Sequence, residues 1–152
     1  MLGNSVPINI LIAEDDPNDR LLTQEAMAES NTVAKLDFVA DGHELLQFLH
    51  RQGTYATRAG APLPGIILLD LNMPRMDGRE ALQRLKSDPV LRRIPVVIMT
   101  NSRDEDDISH TYQLGASSYV IKPRGFDDLV TLMEELCRYW FRVVELPPAT
   151  HH

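Results

Sequence analysis

The sequence predicts an α/β fold: an open, doubly wound sheet of five parallel strands with helices on both faces. Three observations carry that prediction. Short apolar runs such as Ile8 to Ala13, Ile66 to Leu69 and Val96 to Met99 are bounded by glycine, proline or charge. They are too short for buried helices, and their consecutive apolar residues suit strands covered on both faces. Strand signals alternate five times with helical stripes, which gives βαβ units and right-handed crossovers. Most of the strands end in polar residues, and the carboxyl ends of strands are where such sheets form their crevice.

The elements follow in chain order. Ile8 to Ala13 runs into the acidic cluster Glu14-Asp15-Asp16, and Asp16-Pro17 offers an N-cap with proline at the first helical position. That helix is expected to reach about Ser30, with Leu21, Leu22, Ala26 and Met27 on its inner face. Leu36 to Val39 is a weakly signalled second strand. Asp41 then caps a helix, with Glu44 spaced to reach back as in a capping box, and Leu45, Leu46, Phe48 and Leu49 form its apolar stripe up to Gly53. Thr54 to Gly65 has no apolar period and is expected to be a long loop.

Ile66 to Leu69 is the central strand and ends in Asp70. Asp77 and Glu80 have capping spacing and open a helix through Leu82 and Leu85 that ends before Pro89. Val96 to Met99 leads to Thr100. The run Arg103 to Asp107 is expected to be a solvated helix start whose acids suit the helix dipole, with Ile108, Tyr112 and Leu114 on the helix and Gly115 as its stop. Ser118 to Ile121 leads to Lys122-Pro123. The last helix places Leu129, Val130, Met133, Leu136, Cys137 and Trp140 on one side, where Cys137 is a packing residue. The flavodoxin-like strand order 2-1-3-4-5 makes the first and third strands neighbours at the switch point.

Size and charge limit what this chain does. Its 152 residues make one domain, placed at residues 6–141, followed by an apolar extension over 142–150 and His151-His152, read as a tag remnant. A net charge of −7 with no basic stripe argues against nucleic-acid binding. The single cysteine precludes an internal disulfide, and neither a signal peptide nor an apolar run of membrane-spanning length is seen. A cytoplasmic protein without membrane attachment is the expectation. No P-loop or dinucleotide glycine motif occurs, so nucleotide binding lacks support.

In the predicted order, Glu14, Asp15, Asp70, Thr100 and Lys122 meet on one rim. Carboxylates crowded there repel unless a cation neutralises them, and oxygen donors without histidine or thiolate suit a hard ion, Mg²⁺. Lys122 and Thr100 supply a charge and a hydroxyl for a further anionic group, and a phosphoryl group on Asp70 satisfies both. Asp16 fits an N-cap better than a ligand.

Glu14-Asp15-Asp16 with Arg20, Leu69-Asp70-Leu71-Asn72-Met73-Pro74 with Asp77-Gly78, Ile94-Pro95 before Thr100, and Gly115-Ala116 before Tyr119 and Lys122-Pro123 stand in order. Together they resemble the receiver domains of two-component response regulators, over roughly Ile8 to Trp140. The resemblance implies Asp70 as phosphoacceptor from a histidine kinase. It implies Asp15, Asp70 and the Asn72 backbone carbonyl as Mg²⁺ ligands, with Glu14 acting through water. Lys122 and Thr100 become the groups that meet the phosphoryl oxygens, Tyr119 the aromatic switch that turns inward when Thr100 moves, and the Lys122-Pro123 bond is implied to be cis. The output surface is then the fourth helix, fifth strand and fifth helix. Asn101 and Arg124 depart from the family's usual residues.

The Thr54–Gly65 loop and the ending Tyr139 to Pro148 resemble the stand-alone regulators that serve bacterial and cyanobacterial phytochrome kinases. The apolar tail, with Trp140, Phe141, Val143, Val144 and Leu146, is expected to pack on a second subunit as a homodimer, the competing arrangement being packing on its own domain. Downstream, the expected partner is a protein of unknown identity. Two other functions compete with the switch. A Mg²⁺-dependent aspartyl-phosphate phosphatase lacks its second Asp, since Asn72 stands there. A phosphorylation-independent dimeric adaptor has no need of Asp15, Asp70, Thr100 and Lys122.

Overall fold

The computed structural model describes residues 8–148; Pro7, residues 149–150 of the extension and the His151-His152 pair lie outside the described residues. Five parallel strands form one sheet in the order β2-β1-β3-β4-β5, with β1 at Ile8–Ala13, β2 at Ala34–Val39, β3 at Ile66–Leu69, β4 at Val96–Thr100 and β5 at Ser118–Ile121. The helices between and after them are α1 (Pro17–Glu29), α2 (Gly42–His50), α3 (Gly78–Ser87), α4 (Glu105–Gln113) and α5 (Phe126–Arg138). Among the described residues no helix is long and apolar enough to cross a membrane.

Successive strand residues point to opposite faces, so each central strand feeds two cores. Leu11, Ala13, Ile67, Leu69, Val96 and Ile98 pack with Leu45, Leu49, Leu82 and Leu85 of α2 and α3. Ile10, Ile12, Ile66, Leu68 and Val97 pack with Ala26 and Met27 of α1 and with Leu129, Met133, Leu136 and Cys137 of α5. Burial pushes the Cys137 thiol up to about 11, in keeping with a packing role. Every residue of β3 and β4 is buried, whereas β5 at the edge is half-buried.

Several local expectations are corrected. Ala26 and Met27 are buried as expected, but Leu21 and Leu22 are exposed and Thr23 takes a buried place in α1. Ala26 and Met27 join the core that α1 shares with α5. On α4, Tyr112 is exposed and Thr111 takes the buried position, its hydroxyl donating to the Asp107 carbonyl at 2.8 Å. Glu44 does not reach back to its cap, because the Tyr55 hydroxyl donates to its carboxylate at 2.9 Å. The segment expected as a featureless loop contains a 3-10 helix, Gly53–Arg58. That turn covers α2, with the Tyr55 ring edge-on to Phe48 at 5.0 Å and the Arg58 guanidinium 4.5 Å above the same ring. No peptide bond is cis among the described residues, so Lys122-Pro123 is trans.

After α5 the chain makes a π-helical turn over Tyr139–Val143 and folds back. Trp140, Phe141 and Leu146 pack on the α1/α5 core, and a Cβ at Gly65 would lie 2.9 Å from the Phe141 ring and 3.2 Å from a Leu146 methyl. Part of the tail is therefore covered by its own domain, while Tyr139 and Val143 stay exposed.

Candidate functional site

Strand register assembles the site. Ala13 pairs with Leu69, Leu69 with Ile98, and Thr100 with Ile121, so the residues that follow these strands emerge on one rim. The main chain continues the pairing one step beyond the strands, with Asp70 N–H donating to the Ala13 carbonyl at 3.2 Å and Lys122 N–H to the Thr100 carbonyl at 2.9 Å. Gly78 closes this end, since a Cβ there would lie 2.2 Å from the Asp70 carbonyl oxygen.

Lys122 is the hub. Its Nζ donates to Glu14 Oε1 at 2.5 Å, Asp70 Oδ2 at 2.8 Å and Asp19 Oδ2 at 3.2 Å, so each of its three protons has a carboxylate. Burial alone would lower the pKa of the ammonium, but the bonds to Asp70 and Glu14 raise it, so Lys122 is charged throughout the physiological range. Burial pushes the Glu14 carboxyl up, against the downward pull of Lys122 and the Asp16 amide. Both Glu14 oxygens are engaged by protein, the second accepting from Asp16 N–H at 3.1 Å. Arg20 fastens the same residue from behind, its Nε donating to the Glu14 carbonyl at 2.6 Å.

Glu14, Asp15 and Asp70 each present an oxygen within 4.8 Å of the others, Glu14 and Asp70 buried and Asp15 exposed. This oxygen-only set, open to solvent through Asp15, suits a hard divalent cation. Asn72 N–H donates to Asp70 Oδ1 at 3.2 Å, which places the Asn72 backbone beside the same carboxylate. Asp16 caps α1, accepting from Asn18 N–H at 2.8 Å and Asp19 N–H at 3.4 Å.

Thr100 is fully buried, and its Oγ1 has no hydrogen-bond partner among the described residues. A buried hydroxyl without a partner is costly, and such groups collect where function requires them. Tyr119 stands apart from the crevice, packed on the α2/α3 core with its hydroxyl donating to the Ser102 carbonyl at 2.9 Å. Asn101 and Arg124 are exposed.

Three carboxylates meet partners that no sequence signal marks. Asp19, in the first turn of α1, reaches Lys122 without any local pattern that marks it. Asp107, expected to be solvated, accepts from Arg79 Nη2 at 2.6 Å and from the Ser102 hydroxyl at 2.6 Å, which ties α3 to the chain before α4. These two donors, Ser102 foremost, hold its carboxyl below the usual range. Asp41 pairs with Arg75 across two loops.

The response regulator receiver domain family matches residues 10–134. Response regulator Rcp1 of Synechocystis is 40% identical over 143 residues, covering 94% of this chain and 95% of Rcp1. The structure of the phosphorylated cyanobacterial phytochrome response regulator RcpA matches with a TM-score of 0.85 at 39% identity, over 93% of this chain and 99% of that one. The Mn²⁺-bound form of Rcp1 matches with a TM-score of 0.81 at 40% identity, over the same shares. Likeness over nearly the whole length, on a sheet whose rim gathers these carboxylates around one lysine, shows that this chain belongs to the response regulator receiver domain family.

Proposed function

We propose that the protein is a stand-alone response regulator that takes a phosphoryl group from a histidine kinase onto Asp70 and signals by changing a protein-contact surface. The observation that carries this reading is the buried, unpartnered hydroxyl of Thr100 on the same rim as the Lys122–Asp70 ion pair. Phosphorylation adds close to two negative charges and three acceptor oxygens there, which gives that hydroxyl its missing partner.

In the transfer, an Asp70 carboxylate oxygen attacks phosphorus, the P–N bond of the donor phosphohistidine breaks, and its electron pair leaves with the imidazole. Lys122 stays charged and follows the negative charge from the Asp70 carboxylate to the phosphoryl oxygens. Asp15, Asp70, the Asn72 carbonyl and, through water, Glu14 would hold Mg²⁺, which would supply charge neutralisation for the transferring group. Thr100 then turns to the phosphoryl group and Tyr119 follows, which carries the change to the surface of α4, β5 and α5. A shift from about 1:99 to 99:1 requires roughly 5.5 kcal/mol, within reach of a few charge-assisted contacts. The protein is a switch in this reading, not an enzyme acting on other substrates.

The likeness to RcpA and Rcp1 supports a phytochrome-type histidine kinase as donor, and with it a cytoplasmic setting. Exposed Tyr139 and Val143 at the end of α5 support a homodimer through the last helix and the extension that follows the domain. The downstream partner is a protein.

The test is intact mass after incubation with Mg²⁺ and acetyl phosphate or a phosphorylated kinase, beside Asp70→Asn and a metal-free control. A metal-dependent gain of one phosphoryl group, absent in Asp70→Asn, is expected. No gain from any donor by the folded protein overturns the reading and leaves the phosphorylation-independent adaptor.

A further inference from the structure

β2 sends no group into the crevice, yet just past its end stands a carboxylate that is almost fully buried: Asp41, 1% exposed. An ionised carboxylate in that position is costly unless it is paired and hydrogen-bonded. One of its oxygens accepts from Glu44 N–H at 2.8 Å and caps α2. The other accepts from Arg75 Nε at 2.7 Å and also meets Arg75 Nη2, a two-pronged ion pair.

Arg75 belongs to the loop between β3 and α3, the loop that carries Asn72. Its φ of +63° is left-handed, a conformation costly to a residue with a Cβ, and such strain persists only where the surroundings over-determine it. A second tie lies beside the ion pair: Gly42 N–H donates to the Met76 carbonyl at 2.8 Å, and a Cβ at Gly42 would come within 2.8 Å of that oxygen. The outer edge of the loop is thus fastened to the start of α2, while its inner edge meets Asp70 through Asn72 N–H.

We propose that Asp41 and Arg75 are a positioning pair, which holds the loop bearing Asn72 in place and so sets the affinity of the crevice for its divalent cation. The inference rests on the reading of the crevice as a Mg²⁺ site. Neither residue touches the carboxylate cluster. Their effect is on order, because a loop released from α2 has to be ordered again each time the ion binds, and that cost weakens binding.

Calorimetric titration of Mg²⁺ into wild type, Arg75→Gly, Asp41→Asn and the double variant tests this. Glycine accepts the left-handed turn, and asparagine keeps an oxygen for the α2 cap, so both chains keep their local backbone. Each single variant is expected to weaken Mg²⁺ binding roughly tenfold, the size seen when groups that orient metal ligands are removed. The double variant is expected to bind no more weakly than either single one, since the two act as a unit. In phosphorylation by acetyl phosphate, half-saturating Mg²⁺ should rise while the rate at saturating Mg²⁺ holds.

A charge effect alone has a different signature, in which loss of the Arg75 cation tightens Mg²⁺ and loss of the Asp41 anion weakens it. Opposite signs, or unchanged affinity in both variants even if their stability falls, overturn the positioning role while wild-type binding keeps the site. A wild type that takes up no Mg²⁺ overturns the site and this inference together.

Discussion

The α-carbon of Gly78 stands so close to the Asp70 main chain that a methyl group on it would lie 2.2 Å from the Asp70 carbonyl oxygen. The obstacle is backbone, which has no rotamer to yield, and Gly78 N–H already donates to the Leu71 carbonyl at 2.9 Å. Gly78→Ala therefore displaces either α3 or the end of β3 that carries Asp70. We expect a stability loss of at least about 2 kcal/mol by urea unfolding, with slower phosphorylation of Asp70. Wild-type stability and rate in this variant would show that the end of β3 is softer than its packing indicates.

Lys122 is the cation that three carboxylates share. Lys122→Met leaves Glu14 and Asp70 buried and unpaired, a change that costs about 3–5 kcal/mol. In EDTA the melting temperature should fall accordingly. Mg²⁺ binding to the folded chain should restore more stability to this variant than to wild type. Equal losses with and without Mg²⁺ would mean that the metal does not meet these carboxylates.

Thr100→Val is expected to separate folding from signalling. Its hydroxyl has no partner in the resting structure, so Thr100→Val removes an unsatisfied buried group and should leave stability equal or higher by up to about 1 kcal/mol. The same variant should still accept a phosphoryl group but show a smaller change in Tyr119 environment, read as amide and ring shifts by NMR. A full Tyr119 response without the hydroxyl removes Thr100 from the switch.

Asp107 gives a pH dependence of known sign. The Ser102 hydroxyl and Arg79 hold its folded pKa below the ordinary 3.8. A depressed carboxylate contributes stability above its unfolded value, and that contribution disappears as pH falls through the folded value. Wild type should therefore lose more stability than Asp107→Asn between neutral pH and about pH 3, measured as urea midpoints. Parallel curves would mean that the Arg79 and Ser102 contacts contribute nothing.

Much of the molecule is legible in the chain because the rules that write it are short-range. The apolar runs, the caps at Asp16, Asp41 and Asp77, and the alternation of strand and helix each depend on residues a few positions apart, and the structure has them where the sequence predicts. The rim also follows from sequence, since strand order and pleat bring Glu14, Asp70, Thr100 and Lys122 to one edge without knowledge of any side-chain contact.

Helix rotation was less legible. Leu21 and Leu22 looked like an inner face by hydrophobicity, but close packing of α1 beside α5 favours the smaller Thr23 and Ala26. The tail was ambiguous for a similar reason: its apolar residues need cover, and composition does not say whose. Gly65, just before β3, leaves the space that Phe141 and Leu146 occupy.

The sequence by itself determined the alternation of strands and helices and the polar groups at the strand ends, because periodicity, capping and crossover handedness act locally, and the strand order followed from the fold type those units resemble. Only the tertiary structure decided which charge meets which: Asp19 with Lys122, Asp107 with Arg79, Asp41 with Arg75. Those pairings depend on a few ångströms between elements far apart in the chain, a distance that no local pattern encodes.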